Sequence, residues 1–156
     1  MCRGSRMTDE PKKEAWSRYP ETVLVFAGEP EMMIDLREPV PPATKNVLKA
    51  IGLGEPFSIL TSYNPRGEML DASENDRRFK ELTAELRSAG LEFVVIDACS
   101  PDRSHGERSV AIKGDRDVAI DLAKRWEQVA IFWFDSERFW IYGATFPIEP
   151  IPLPVA

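Results

Sequence analysis

One histidine and two cysteines in 156 residues remove whole classes of chemistry at the outset. Hydrolytic zinc sites usually recruit more than one imidazole, so His105 is a thin basis for such a centre. Cys2 and Cys99 cannot build a disulfide framework and form no CxxC pair, which fits a reducing compartment. The longest apolar run, Val129 to Phe134, is far too short to span a bilayer, and no basic stretch followed by an apolar one marks a signal peptide. A cytoplasmic protein with no membrane contact is the expectation. Positive charge is also in deficit: 20 Lys and Arg against 26 Asp and Glu leave a net charge of -6. That balance repels nucleic acid and anionic membrane at long range and argues against either as a partner. There is no Gly-rich phosphate loop, no GxSxG and no HExxH, so no cofactor is implied.

The chain is 43% hydrophobic and 29% charged, an ordinary globular composition, and long enough for one domain with a sizeable core. Residues 1–11 read as a disordered tail and 12–146 as a single domain. Pro147, Pro150, Pro152 and Pro154 make 147–156 an extended Pro-rich tail, lying on the surface or serving as a polyproline ligand.

Periodicity predicts a hairpin over 22–27 and 32–36, a short helix over 44–51 ended by Gly52 and Gly54, and a strand over 56–63. Phe79, Leu82, Leu86 and Ala89 recur at helical spacing up to Gly90, with Asp71 or Ser73 as the cap. A strand over 91–97, a polar loop, and a strand over 108–113 follow. Asp115 or Asp117 caps a second helix with an apolar face of Val118, Ala119, Leu122, Ala123 and Trp126, and 129–134 with 138–144 make a final hairpin. From residue 56 the order is strand, helix, strand, strand, helix, strand. It predicts an α+β fold with a ferredoxin-like split β-α-β core: an antiparallel sheet, two helices on one face, an added C-terminal strand and an N-terminal hairpin and helix extension.

That topology gathers distant polar residues on one rim: Asn64 and Arg66, Asn75 and Arg78, Asp102, His105 and Glu107, and Arg125 and Gln128. Asn75 falls on the stripe of Phe79, Leu82 and Leu86, so its amide points toward the sheet. Acidic and basic residues balance along 64–78, 99–108 and 124–128, so an anion would not be repelled there, and the first long helix offers its N-terminus.

The same residues carry a resemblance. "ILTSYNP", the Asn75-x-x-Arg78 pair, Glu107-x-Ser109 and the run of Ala119, Leu122, Ala123, Trp126, Gln128 and Ala130 resemble the bacterial family catalogued as domain of unknown function 3293, over roughly residues 56–134. The resemblance brings no activity with it. It implies only that Asn64, Asn75, Arg78, Glu107 and Gln128 occupy the motif positions.

Each of these has a plainer reading. Asn64-Pro65 with Gly67 is turn chemistry, and Asn75, Gln128, Arg78 and Glu107 could form a structural network of amides and an ion pair. Asp102 and His105 have metal-ligand chemistry but suit a solvated loop, and Cys99 beside His105 reads as a buried, inert thiol before it reads as a nucleophile. The aromatics from Phe132 to Tyr142 read as core. Two functions remain open. One is a module binding a small polar or anionic ligand, or a peptide, through Asn64, Asn75, Arg78, Glu107 and Gln128. The other is a carboxylate- or metal-assisted hydrolase or transferase with Glu107 as base, His105 as proton carrier, Asp102 as metal ligand and Arg78 as anion stabiliser. Oligomeric state leaves no mark on the sequence.

Overall fold

The structure, a computed structural model, describes residues 18–28 and 31–155; the tail expected at 1–11 lies outside them. Its regular elements, in chain order, are β1 (Val23–Phe26), β2 (Met32–Asp35), α1 (Pro42–Ala50), β3 (Phe57–Leu60), α2 (Ala72–Ser88), β4 (Phe93–Cys99), β5 (Gly106–Lys113), α3 (Arg116–Arg125), β6 (Ala130–Phe134), β7 (Phe139–Gly143) and β8 (Ile151–Pro152). The helix starts follow local chemistry. Pro42 opens α1 where its missing N–H costs nothing. Of the two candidate caps of α2, Asp71 is the one used, accepting from the Glu74 N–H at 2.9 Å, and Asp115 caps α3 through the Asp117 N–H.

All eight strands join one antiparallel sheet in the order β2-β1-β4-β5-β3-β6-β7-β8. This corrects the ferredoxin-like α+β expectation: the chain forms a large antiparallel sheet curled into a half-barrel, with three helices, instead of a split β-α-β core with two helices on one face. The N-terminal hairpin is no appendage. β1 is buried along its whole length and pairs with β4 through Val23–Cys99, Leu24–Ala98 and Val25–Asp97. A strand buried on both faces belongs inside a sheet, and its uninterrupted run of Val, Leu, Val and Phe is the pattern such a strand needs. At the other end, the expected Pro-rich tail contributes β8, and Leu153 beside it is 2% exposed.

The curl follows from the inner core. Leu24 and Ile34 of β1 and β2 share one apolar cluster with Phe132 of β6 and Phe139 and Ile141 of β7. In a flat sheet β1 and β6 would stand about 19 Å apart, four strand spacings. Instead Tyr19, just before β1, packs on Phe132 with ring centroids 5.6 Å apart. Leu48 of α1 and Leu53 complete this inner core, and Lys45 of α1 reaches Glu137 in the β6–β7 turn. The outer surface carries a second cluster: Leu60, Val110, Ile112 and Ile131 of the sheet against Phe79, Leu82 and Leu86 of α2 and Ala119, Leu122 and Ala123 of α3. Val118, expected on the apolar face of α3, is 42% exposed.

After β7 the chain doubles back over Gly143, where an added Cβ would lie 2.3 Å from the Phe146 carbonyl oxygen and 2.8 Å from the Ile148 nitrogen. Gly143→Ala therefore forces the return loop off β7. A loss of roughly 1–3 kcal/mol in urea unfolding is expected, with faster amide exchange where β8 pairs with β7.

Candidate functional site

β3 ends in a seam of strained backbone. Asn64 adopts left-handed φ 46° and ψ 65°, Arg66 has φ 57°, and Glu127, across the gap, has φ 61°. Asparagine tolerates this region; arginine and glutamate do so at a cost. Hydrogen bonds hold them there. The Arg66 N–H donates to the Glu127 carbonyl at 2.7 Å, and the two side chains pair at 3.5 Å. Strain kept in place by surrounding bonds is a feature that collects at functional sites.

Behind the seam lies an amide and guanidinium network. The Asn64 N–H donates to Asn75 Oδ1 at 2.9 Å, and Asn75 Nδ2 donates back to Asn64 Oδ1 at 3.0 Å. Asn64 Oδ1 also accepts the Leu70 N–H at 2.9 Å, while Asn64 Nδ2 donates to Glu107 Oε2 at 2.7 Å. Arg78 Nε donates to the Ser62 carbonyl at 2.6 Å and its second terminal nitrogen to the Trp126 carbonyl at 2.8 Å, with the guanidinium 5.1 Å above the Trp126 ring. Gln128 Nε2 donates to the carbonyls of Tyr63 at 3.0 Å and Trp126 at 3.1 Å. The structure thus brings Asn64, Asn75, Arg78, Glu107 and Gln128 together. Arg125 is elsewhere, bonded to Glu85 of α2.

The five then divide. Asn64, Glu107 and Gln128 border a cavity of about 1050 Å³ in the inner face of the curled sheet; Asn75 and Arg78 stand behind its wall. Strand alternation builds the cavity. Thr61 follows Phe57 and Ile59 on the inner side of β3, and Glu107 and Ser109 precede Ala111 on that of β5. Ala98 faces Glu107 across the β4–β5 ladder. Ile59, Ala98, Ala130 and Phe132 make an apolar floor, and the polar groups cluster at one end. Arg18 and Tyr19 also line the cavity. Neither was legible as a site residue, because only the non-local β1–β4 pairing carries them there.

The loop between β4 and β5 supplies His105, also on the cavity wall, with Nε2 3.8 Å from Glu107 Oε2. Asp102 is spent on its own loop: Oδ1 accepts from Ser100 Oγ at 2.8 Å, Ser104 Oγ at 2.7 Å and the Ser104 N–H at 3.0 Å. Those bonds, led by Ser104, pull its carboxyl down to about 2. Among the described residues no group of three or more His, Cys, Asp or Glu could hold a metal ion. Cys99 is 9% exposed, and burial pushes its thiol up, away from the thiolate a nucleophile needs. Burial, and then the Glu107 carboxylate, raise the Tyr19 phenol well above its usual range.

Glu107, as acceptor and then as charge, raises the His105 pKa against opposing burial and Arg18. A raised folded value means that the contact stabilises fully below the unfolded pKa, near ~6.5, and is lost as pH rises through the folded one. The His105 ring titration followed by NMR should have its midpoint above ~6.5, and Glu107→Gln should move it down.

Among the described residues no helix is long and apolar enough to cross a membrane. No curated protein and no solved structure matches the chain. Residues 60–131, the stretch that contains all five network residues, match the family described as protein of unknown function (DUF3293).

Proposed function

We propose that the protein is a binding module for a small polar molecule held in the inner-face cavity, its apolar body on Ile59, Ala130 and Phe132 and its polar end against Asn64, Glu107 and Gln128. One observation carries this reading: a cavity of about 1050 Å³ with an apolar floor and convergent polar groups at one end. That is the general form of small-molecule sites. The network behind the wall fixes the polar end in place, which lowers the ordering cost of binding. A carboxylate-assisted hydrolysis or group transfer keeps one geometric support, the 3.8 Å approach of His105 to Glu107. Its intended anion stabiliser, Arg78, is instead committed to the Ser62 and Trp126 carbonyls.

The test is a fragment panel sorted by charge, read by ligand-observed NMR against the whole chain and against Ala98→Phe. Ala98 is half-buried on the cavity floor, so phenylalanine there fills the space while extending a strand that favours aromatics. Binding to the wild type that is lost in a folded Ala98→Phe protein is the expected result. Fragments that bind both proteins alike would refute the cavity as the site.

A further inference from the structure

We infer that the ligand presents a cationic nitrogen, an ammonium or amidinium group, to Glu107 and Gln128 at the polar end of this cavity. The inference rests on the binding-module reading and narrows it to a class of ligand. Unused hydrogen-bonding capacity at this end points to it first. Gln128 is 5% exposed and commits Nε2 to two carbonyls. Its Oε1 accepts nothing from the described residues, yet it is absent from the sealed, unpartnered polar atoms, which are Ser58 Oγ, Ser62 Oγ and Arg116 Nε. It is an acceptor left for whatever enters the cavity. Glu107 is in the same position: Oε2 takes the Asn64 amide at 2.7 Å, and Oε1 takes no hydrogen bond. Thr61 cannot supply a compensating donor, because its hydroxyl already donates to the Arg108 carbonyl at 2.6 Å. Ser109 donates to the Glu107 carbonyl at 3.1 Å. Gln128 Oε1 and Glu107 Oε1 are thus acceptors on the cavity wall that no described hydrogen bond uses, and they suit a guest that brings N–H groups.

Charge points the same way. Among the described residues, Glu21, Asp102 and Glu107 line the cavity with Arg18 as the one permanent cation. Arg78, the cation that would have drawn an anion, faces away into carbonyls. His105 is the competing cation at Glu107 while its ring is protonated, so the preference strengthens as pH rises through its raised pKa. The Phe132 ring on the floor suits a cation's apolar or aromatic body.

Benzylamine, benzyl alcohol and benzoate, matched in shape and differing in charge, are titrated separately against the whole chain by saturation-transfer NMR, with Ala98→Phe as the cavity-filled control. Benzylamine should bind about tenfold tighter than benzyl alcohol, the margin of one charge-assisted hydrogen bond, and benzoate weakest. Glu107→Gln, which keeps an acceptor for Asn64, should erase the amine's advantage over the alcohol. Arg18→Gln, on an exposed residue, should raise amine affinity about twofold relative to the alcohol, and it reads the same field if the Glu107 variant fails to fold. Benzoate equal to or tighter than benzylamine, or an amine advantage that survives Glu107→Gln, overturns the inference while leaving the cavity as a site. Binding by none of the three, or binding undiminished by Ala98→Phe, overturns both.

Discussion

Arg78→Ala should lower the unfolding free energy by about 2–3 kcal/mol, because it strips charged donors from two carbonyls in separate loops. The Ser62 carbonyl at the end of β3 loses its partner at 2.6 Å, and the Trp126 carbonyl after α3 loses its partner at 2.8 Å and keeps only Gln128. The Trp126 ring loses the guanidinium above it as well. Urea melts with an unchanged slope would report the loss, seen also as a fall in Tm of about 5–10 °C. Arg78→Lys should recover less than half, since a point ammonium cannot bridge two carbonyls as a planar fork does. A loss below about 0.5 kcal/mol for Arg78→Ala, the range of ordinary surface changes, would show that the clamp is ornamental.

The second large effect is at Asn75. Leucine at this position suits the apolar stripe of Phe79, Leu82 and Leu86, so packing alone predicts tolerance. The hydrogen bonds predict otherwise. Asn64 and Asn75 are 8% and 5% exposed, and Asn75→Leu orphans the Asn64 N–H and removes one bond to Asn64 Oδ1 at a largely buried place. A cost of roughly 1–3 kcal/mol is expected. A cycle with Asn64→Ala should give a coupling of about 1–2 kcal/mol, because the two amides satisfy each other. Asn75→Leu should also weaken cavity binding, since Asn64 is what holds Glu107 Oε2. Additive single effects would mean that the pair is not a unit.

Local pattern carried the elements well. The four-three-four spacing from Asn75 to Leu86 places Asn75 on the sheet side of α2, and that side is where it is buried. The ordering of turn, helix start, loop and helix end along the chain places five polar residues near one another without any knowledge of register. What the residues could not convey was pairing across long separations. Nothing in "TVLVFA" specifies Cys99, Ala98 and Asp97 as partners of β1, although its unbroken apolar run was a sign of an interior strand. Missing that pairing turned a curled eight-stranded sheet into a smaller one with appendages. It hid the concave face, and with it the cavity, Tyr19 and Arg18. Whether Arg78 faces a ligand or a carbonyl is likewise a matter of side-chain direction, which helical spacing fixes only to within a face.

The most direct test of the central claim is a titration of the ¹⁵N-labelled chain with the tightest binder from the charge-sorted panel. Saturable amide shifts should centre on Thr61, Ser109, Ala130 and Phe132 of the inner face and on Gln128 at its polar end. Shifts centred instead on α2 and α3 over the outer core, or no saturable shift with any fragment, would contradict it.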